Sequence, residues 1–469
     1  MNPMPIPRPP IAAGIVTAAA WLLLASGAAP ATHAVGPGES IQEAVRRAAP
    51  GDTIRVMPGE YHETVYVDTN DLTLEGVVVR RAWPVLDGKH RLNDGVLVAG
   101  HGVTVRNLVI RGFKGNAIMT QGANNFRIVR NRVEGPAFYG IFPQFGKNGF
   151  VGHNVVTGVE DAGIYVGMSQ NVDVVGNEVF GNVLGIETEN SIDMLVEGNY
   201  VHDNTLGVML SLVPGLPIKV ARRTIVRNNF IVDNNLENFA PEGTPASNVP
   251  RGMGGIAYAY DESTWENNVI RGNHSGGIGF MDHSFIPMLP DPKSDPRPDG
   301  NRVLHNVFLD NGKAPYGDIA ELMQVVGRED GVDVIATGKG RKNCLIAPDS
   351  VTTLGTERWE ACPPDSSTAA IATMQLREPA PAVTYDSEQI GRMTYLAVCT
   401  GCHSYSSRII GPPMVTAKAL YRGKPQALAD WIADPVRKRE DYPEMPPQSY
   451  LPPEVRLAVA KYILGELKQ

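Results

Sequence analysis

The chain has 469 residues, 43% apolar and 20% charged, enough for two or more buried cores and too apolar for a disordered chain. Its formal net charge of −8, with no basic tail, excludes nucleic acid as a partner, because phosphate binding needs a strongly basic surface. The 49 glycines and 37 prolines, against 7% aromatics, favour many short strands and turns over long helices.

The first segment carries Arg8, then an uncharged stretch from Ile11 to Ala29, then small residues through Ala31 and Ala34. This is the pattern of a cleaved export signal, and it sets a first boundary after residue 34. Left uncleaved, the stretch is nearly long enough to span a bilayer and is the only expected membrane contact. Ser40 to Ala49 then reads as a short amphipathic helix with its N-cap at Ser40.

From Thr104 to Asn311 the sequence repeats. One asparagine marks each unit: Asn107, Asn131, Asn154, Asn177, Asn199, Asn229, Asn268 and Asn306, spaced at 24, 23, 23, 22, 30, 39 and 38 residues. An apolar residue follows each by two positions, from Val109 and Val133 to Ile270 and Phe308. A further strand is marked by Gly-Ile or Gly-Val pairs beginning at Gly140, Gly163, Gly185 and Gly207. A unit of about 23 residues without helical periodicity cannot bury its apolar face alone, so coils must stack. Stacking puts equivalent asparagines about 4.8 Å apart, close enough for an amide ladder. A second ladder is expected at Asn182, Asn204, Asn234, Asn273 and Asn311. The extra residues of the long spacings fall in three Pro-containing loops, Ser211 to Arg222, Leu236 to Met253 and Ser284 to Gly300, expected to wall a binding face.

The opening GESIQEAVRRAAPGDTIRVMPGEYHETVYV and the asparagine repeat resemble the pectin-lyase-like, right-handed parallel β-helix repeat proteins over residues 35 to 343. That resemblance implies a β-helix fold and includes polysaccharide lyases and uronate epimerases, whose calcium clusters and Asp-Pro-His motifs are not recognisable here. Alternation from an inward column of Ile118, Ile141, Ile164, Ile186 and Val208 sends Met119, Phe142, Tyr165, Glu187 and Met209 outward, with Gln121, Gln144, Gly167, Glu189 and Ser211 two positions on. Such a face suits a saccharide. Its candidate catalytic residues are Glu187, Glu189 and Tyr165, two carboxylates placed to perturb each other's pKa. A further candidate, for copper, is the run Met281 to Ser284 with His283, followed by Met288.

Cys344 and Cys362 are expected to form a disulfide in an exported protein. Residues 363 to 385 read as a flexible linker rich in Pro, Ala and Ser, closing a solenoid domain of 35 to 362. Helical patterns follow at Ser387 to Thr400, Pro425 to Ala433 and Pro453 to Leu467. The first runs into Cys399-Thr-Gly-Cys402-His403, a C-x-x-C-H: two thiols that can each add to a haem vinyl group, beside an imidazole that can ligate the iron.

Residues 386 to 469 resemble the class I monohaem c-type cytochromes in four ordered features: that motif, Gly411-Pro412-Pro413, the YPEMPP of Tyr442 to Pro447, and a last helix carrying Tyr462. The resemblance implies one covalent haem c, held by thioethers at Cys399 and Cys402, with His403 and Met445 as axial iron ligands and Met414 and Met393 as rivals to Met445. It also implies that Pro412 and Tyr462 pack on the haem and the first helix. Arg437, Lys438 and Arg439 are expected to steer an acidic redox partner protein. The whole reads as a mainly β, periplasmic, two-domain protein: a β-helix followed by a small all-α cytochrome c domain. Single-electron transfer is the expected function, with the solenoid recognising a saccharide or a protein. The alternative is a lyase- or epimerase-type carbohydrate-active enzyme with an accessory cytochrome, in which Glu187 and Glu189 lie buried in a groove beside an Arg or Lys.

Overall fold

Apolar residues recurring at every coil, with a corner amide between them, close the chain into a triangular spiral from Thr32 to Ala361. The computed structural model describes residues 29–285, 291–371, 378–400, 402–406, 408, 410–442 and 444–465. Most of the segment read as an export signal, the candidate ligand Met288, and the end of the last expected helix lie outside the described residues. No helix among the described residues is long and apolar enough to cross a membrane.

The coils lay down three parallel sheets of 13, 10 and 11 strands. The first begins with Thr32–Val35, paired to Thr53–Val56. The boundary drawn after residue 34 falls inside this strand, so the solenoid starts earlier than the sequence pattern suggests. Helix α1, Ile41–Arg47, buries Ile41, Ala44 and Val45 against the open end of the first coils. Ser40 Oγ caps it by accepting from Glu43 N at 3.2 Å, and Glu63 accepts from Ile41 N and Gln42 N.

The asparagine ladder is continuous from Asn131 to Asn306. Each Nδ2 donates to the next Oδ1 at 2.8–3.2 Å, through Asn154, Asn177, Asn199, Asn229 and Asn268. The second ladder, Asn182 to Asn311, is present at 3.0–3.1 Å. Asn107 is a correction. The register pairs Val105 with Ile128, which places Leu108 opposite Asn131, and Leu108 N donates to Asn131 Oδ1. Asn107 instead has φ 59°, as do its equivalents Arg130 and His153 within a few degrees, so it occupies the left-handed corner one residue earlier.

The inward column of Ile118, Ile141, Ile164, Ile186 and Val208 is fully buried. The outward phase is not free, however. Tyr66, Leu97, Met119, Phe142, Tyr165 and Met209 belong to a second apolar cluster with Ala397, Leu451 and Val455 of the C-terminal domain and with Ile319 and Met323 of helix α2, Gly317–Val325. The third sheet is thus buried on both faces, and the expected open saccharide surface is largely covered. Cys344 and Cys362 form the expected disulfide, Cα to Cα 4.9 Å.

Residues of the linker lie along the solenoid rather than apart from it. Glu266 accepts from Thr368 N at 2.8 Å and from the Ser367 and Thr368 hydroxyls, and Arg227 donates to the Thr368 and Ile371 carbonyls. Further on, Asn125 brackets Ala380, Asn124 donates to Pro381 O, His101 engages Val383, and Tyr385 Oη donates to Gly122 O at 2.8 Å.

Among its described residues the C-terminal domain has four helices: α3 (Ser387–Thr394), running on through a π-turn at Tyr395–Cys399, α4 (Met414–Leu420), α5 (Pro425–Ala433) and α6 (Pro453–Leu464). The short α4 was not apparent in the sequence. Asp386 and Gln389 form a capping box at α3. Helix α3 crosses α6 at Gly391, where a Cβ would lie 2.4 Å from Ala458 O. Tyr462 Cβ borders the same crossing, and its ring lies 5.5 Å from that of Tyr395, so Tyr462 packs on the first helix as expected.

Candidate functional sites

The π-turn delivers Cys399, and the next loop Cys402 and His403, to the wall of an apolar cavity of about 220 Å³. Val398, Leu428, Trp431, Ile432, Val459 and Ile463 line it, and Met445 and Met414 reach it from later segments. Both cysteines are free thiols in the structure. Burial pushes Cys399 up to about 12 and Cys402 to about 11, the reverse of what a dithiol redox motif needs for a reactive thiolate.

His403 is buried, and its Nδ1 lies 2.8 Å from Pro412 O. A hydrogen bond there fixes the tautomer that leaves Nε2 as a lone-pair donor for a metal. Desolvation, partly opposed by the Pro412 hydrogen bond, lowers the imidazole's pKa and favours that neutral form. Gly411 is required by the same geometry, since a Cβ would sit 2.4 Å from His403 Cε1.

The residues fit a haem. Trp431 Nε1 is buried without a hydrogen-bond partner among the described residues, a donor suited to a propionate, and Arg437, Lys438 and Arg439 also line the cavity, Lys438 beside Trp431. The run is exposed, as steering would require; Arg439 pairs with Asp441 at 2.6 Å, and Lys438 lies over the rings of Tyr421 and Trp431. Of the rival methionines, Met393 packs on Gly122 of the solenoid and does not line the cavity. Met414 N donates to Ser404 O, which ties it to the His403 segment, so Met445 is the thioether arriving from a separate one.

A second constellation lies on the outward face of the third sheet. The register pairs Tyr165 with Glu187 and places Glu189 two residues on, as alternation predicts. The Tyr165 hydroxyl donates to Glu189 Oε1, and Ser211 Oγ donates to Glu187 Oε1 at 3.1 Å. Two neighbours were not anticipated: Tyr139, its ring tilted 33° to that of Tyr165 at 4.6 Å, and Asp161, to which Tyr139 hydrogen-bonds. Both stand in the turns before their strands, outside the alternation that revealed the others.

Burial raises all three carboxyl groups, Asp161 to about 8, Glu189 to about 7 and Glu187 well above its usual range, with mutual repulsion adding to the rise for Asp161 and Glu187. Among the described residues no Arg or Lys forms an ion pair with them, so the groove is buried as expected but lacks the expected cation. Three acids able to hold protons near neutrality, with two tyrosines, can donate and accept protons.

At the copper candidate, His283 Nε2 lies 2.8 Å from Leu212 O, Asp282 accepts from Ser284 N at 3.0 Å and from its hydroxyl, and Met281 is buried, with no cluster of three His, Cys, Asp or Glu side chains among the described residues; Met288 lies outside them.

Residues 94–235 match the family described as "Right handed beta helix region". No curated protein matches the chain. Among solved structures, the mannuronan C-5 epimerase A-module of Azotobacter vinelandii is similar at 14% identity, covering 63% of this chain and 79% of its own, with a TM-score of 0.44. An alginate lyase from Paenibacillus sp. is similar at 12% identity over 66% and 99%, TM-score 0.44. Pectate lyase Pel9A is similar at 14% identity over 73% and 85%, TM-score 0.37. At such identities no side chain of those proteins maps onto this one.

Proposed function

We propose that this is an exported, periplasmic haem c protein that transfers single electrons, its cytochrome domain seated on a right-handed β-helix. The observation that carries the reading is the convergence of Cys399, Cys402, His403 and Met445 on one apolar cavity, with His403 Nδ1 held by Pro412 O. Cys399 and Cys402 would attach the haem, and His403 and Met445 would ligate its iron. The haem would supply a one-electron couple, and a soft thioether among its ligands would favour the reduced state. The chain's own part is to exclude water with Leu428, Trp431, Ile432 and Val459 and to hold the imidazole neutral. The Cys344–Cys362 disulfide supports an oxidising compartment.

The test is pigment that survives denaturation. Protein made with haem-attachment machinery keeps haem through acidified-solvent extraction, and Cys399→Ser with Cys402→Ser loses it. Complete extraction from the unaltered chain refutes the reading.

A second reading, a saccharide-cleaving site on the solenoid, is favoured by the Tyr139, Asp161, Tyr165, Glu187 and Glu189 cluster. Acid–base cleavage of a neutral saccharide suits it better than elimination on a uronate, because the cluster offers no cation to pair with a uronate carboxylate. Neutral and acidic polysaccharides incubated with the protein separate the two. New reducing ends from a neutral polymer, lost in Glu189→Gln, support hydrolysis, and an unsaturated uronate product overturns it.

A further inference from the structure

The cytochrome domain does not close its own cavity. Asn93, from the turn before the third-sheet strand Val96–Val98, is part of the lining, and the next residue, Asp94, is fully buried behind it. Four donors converge on this carboxylate. Asn116 N and Nδ2 reach Oδ1 at 3.0 and 2.8 Å, and Asn93 Nδ2 and Tyr450 Oη reach Oδ2 at 2.8 and 2.7 Å. Tyr450 belongs to the cytochrome domain, in the turn before α6, so the solenoid's acid is held by the domain it faces.

No Arg or Lys pairs with Asp94 among the described residues. Burial raises its pKa above the usual carboxylate value, and the four hydrogen bonds limit that rise. Both oxygens have donors as their partners, and such a site is shaped for the anion. Asn93, which lines the cavity together with Cys399 and Cys402, also donates to Asp94 Oδ2, so the carboxylate stands one side chain behind that wall. A negative charge at short range through a low-dielectric interior stabilises the more positive of two states.

We propose that the solenoid completes the haem cavity, Asn93 forming part of its wall and Asp94, clamped by Tyr450, acting as a fixed negative charge that lowers the haem's reduction potential. This rests on the haem reading above. It makes Asp94 a tuning residue and the β-helix a working part of the redox centre.

The test uses the full chain carrying its haem, titrated by spectroelectrochemistry at neutral pH. At the potential where the unaltered protein is half reduced, Asp94→Asn raises the ratio of reduced to oxidised haem several-fold, with the visible spectrum of each state unchanged. Tyr450→Phe, which keeps the carboxylate and removes one donor, raises the ratio by less. An unchanged ratio in both variants overturns the proposal. So does a larger effect of Tyr450→Phe, which would make packing the cause. Should Asp94→Asn not fold, Tyr450→Phe decides alone, and an unchanged ratio overturns the proposal. If the unaltered chain holds no covalent haem, the haem reading itself fails, an outcome distinct from haem present with potentials unmoved.

Discussion

Replacing Asn199 by alanine isolates what one rung of the amide ladder contributes. Asn199 is fully buried. Its Oδ1 accepts from Asn177 N at 2.9 Å and Asn177 Nδ2 at 3.0 Å, and its Nδ2 donates to Val174 O at 2.9 Å and Asn229 Oδ1 at 3.0 Å. Asn177 Nδ2 keeps Val151 O, and Asn229 Oδ1 keeps Asn199 N, so those two groups stay satisfied in the variant. The Asn177 backbone N–H is left with no partner, and Val174 O loses its side-chain donor. At about 1–3 kcal/mol for each of these two buried groups, Asn199→Ala costs about 2–6 kcal/mol. Urea unfolding followed by the strand signal in circular dichroism reads this as a lower midpoint. A loss below about 0.5 kcal/mol, well under the net worth of a single hydrogen bond, would refute the reasoning and leave apolar stacking as what holds the coils in register.

The buried acids give the fold a pH dependence of definite sign. Asp161 and Glu189 are raised in the fold to about 8 and about 7 from ordinary values of 3.8 and 4.5, so above the ordinary values the fold binds protons that the unfolded chain has released. Stability is therefore greatest below about pH 4 for these two groups and falls as pH rises towards 8, and Asp161→Asn with Glu189→Gln flattens the decline in melting temperature between pH 5 and pH 8. Gly391→Ala places a Cβ 2.4 Å from Ala458 O and forces α3 and α6 apart. It costs about 1–3 kcal/mol, seen as a lower melting midpoint of the helical signal with the strand signal unmoved. Met119→Lys buries a charge where the solenoid meets the C-terminal domain, and faster proteolysis at residues 378–386 reports the loosened seat.

Much of this architecture is legible because each coil restates the same local requirement, an amide at the corner and an apolar residue two positions on. The slip at Asn107 has the same origin. The left-handed corner accepts asparagine as readily as the ladder does, and spacing alone cannot tell two adjacent positions apart. The covering of the third sheet was also foreshadowed, since Met119, Phe142 and Met209 on the outward phase are too apolar for an open face. Motif order anticipated which residues of the C-terminal domain line one cavity, because two thiols and an imidazole at fixed spacing are carried there together. Asp94, Tyr139 and Asp161 left no such trace. Each stands in a turn, and its partners lie tens or hundreds of residues away, as Tyr450 does from Asp94.

The strap of residues between the disulfide and α3 sets the mechanics of the assembly. It is fixed at Thr368, Ala380, Pro381, Val383 and Tyr385, and α3 begins at Ser387, so almost no free chain separates the last anchor from the domain it carries. A tether this short keeps the local concentration of the domain at its own seat very high, and individually weak contacts across the seat then suffice to hold it. The C-terminal domain cannot swing away from the β-helix without first peeling the strap from the sheet corners. Any partner of its cavity must therefore travel to the assembled surface, and its fit to the β-helix beside the cavity governs how often it arrives in a productive pose.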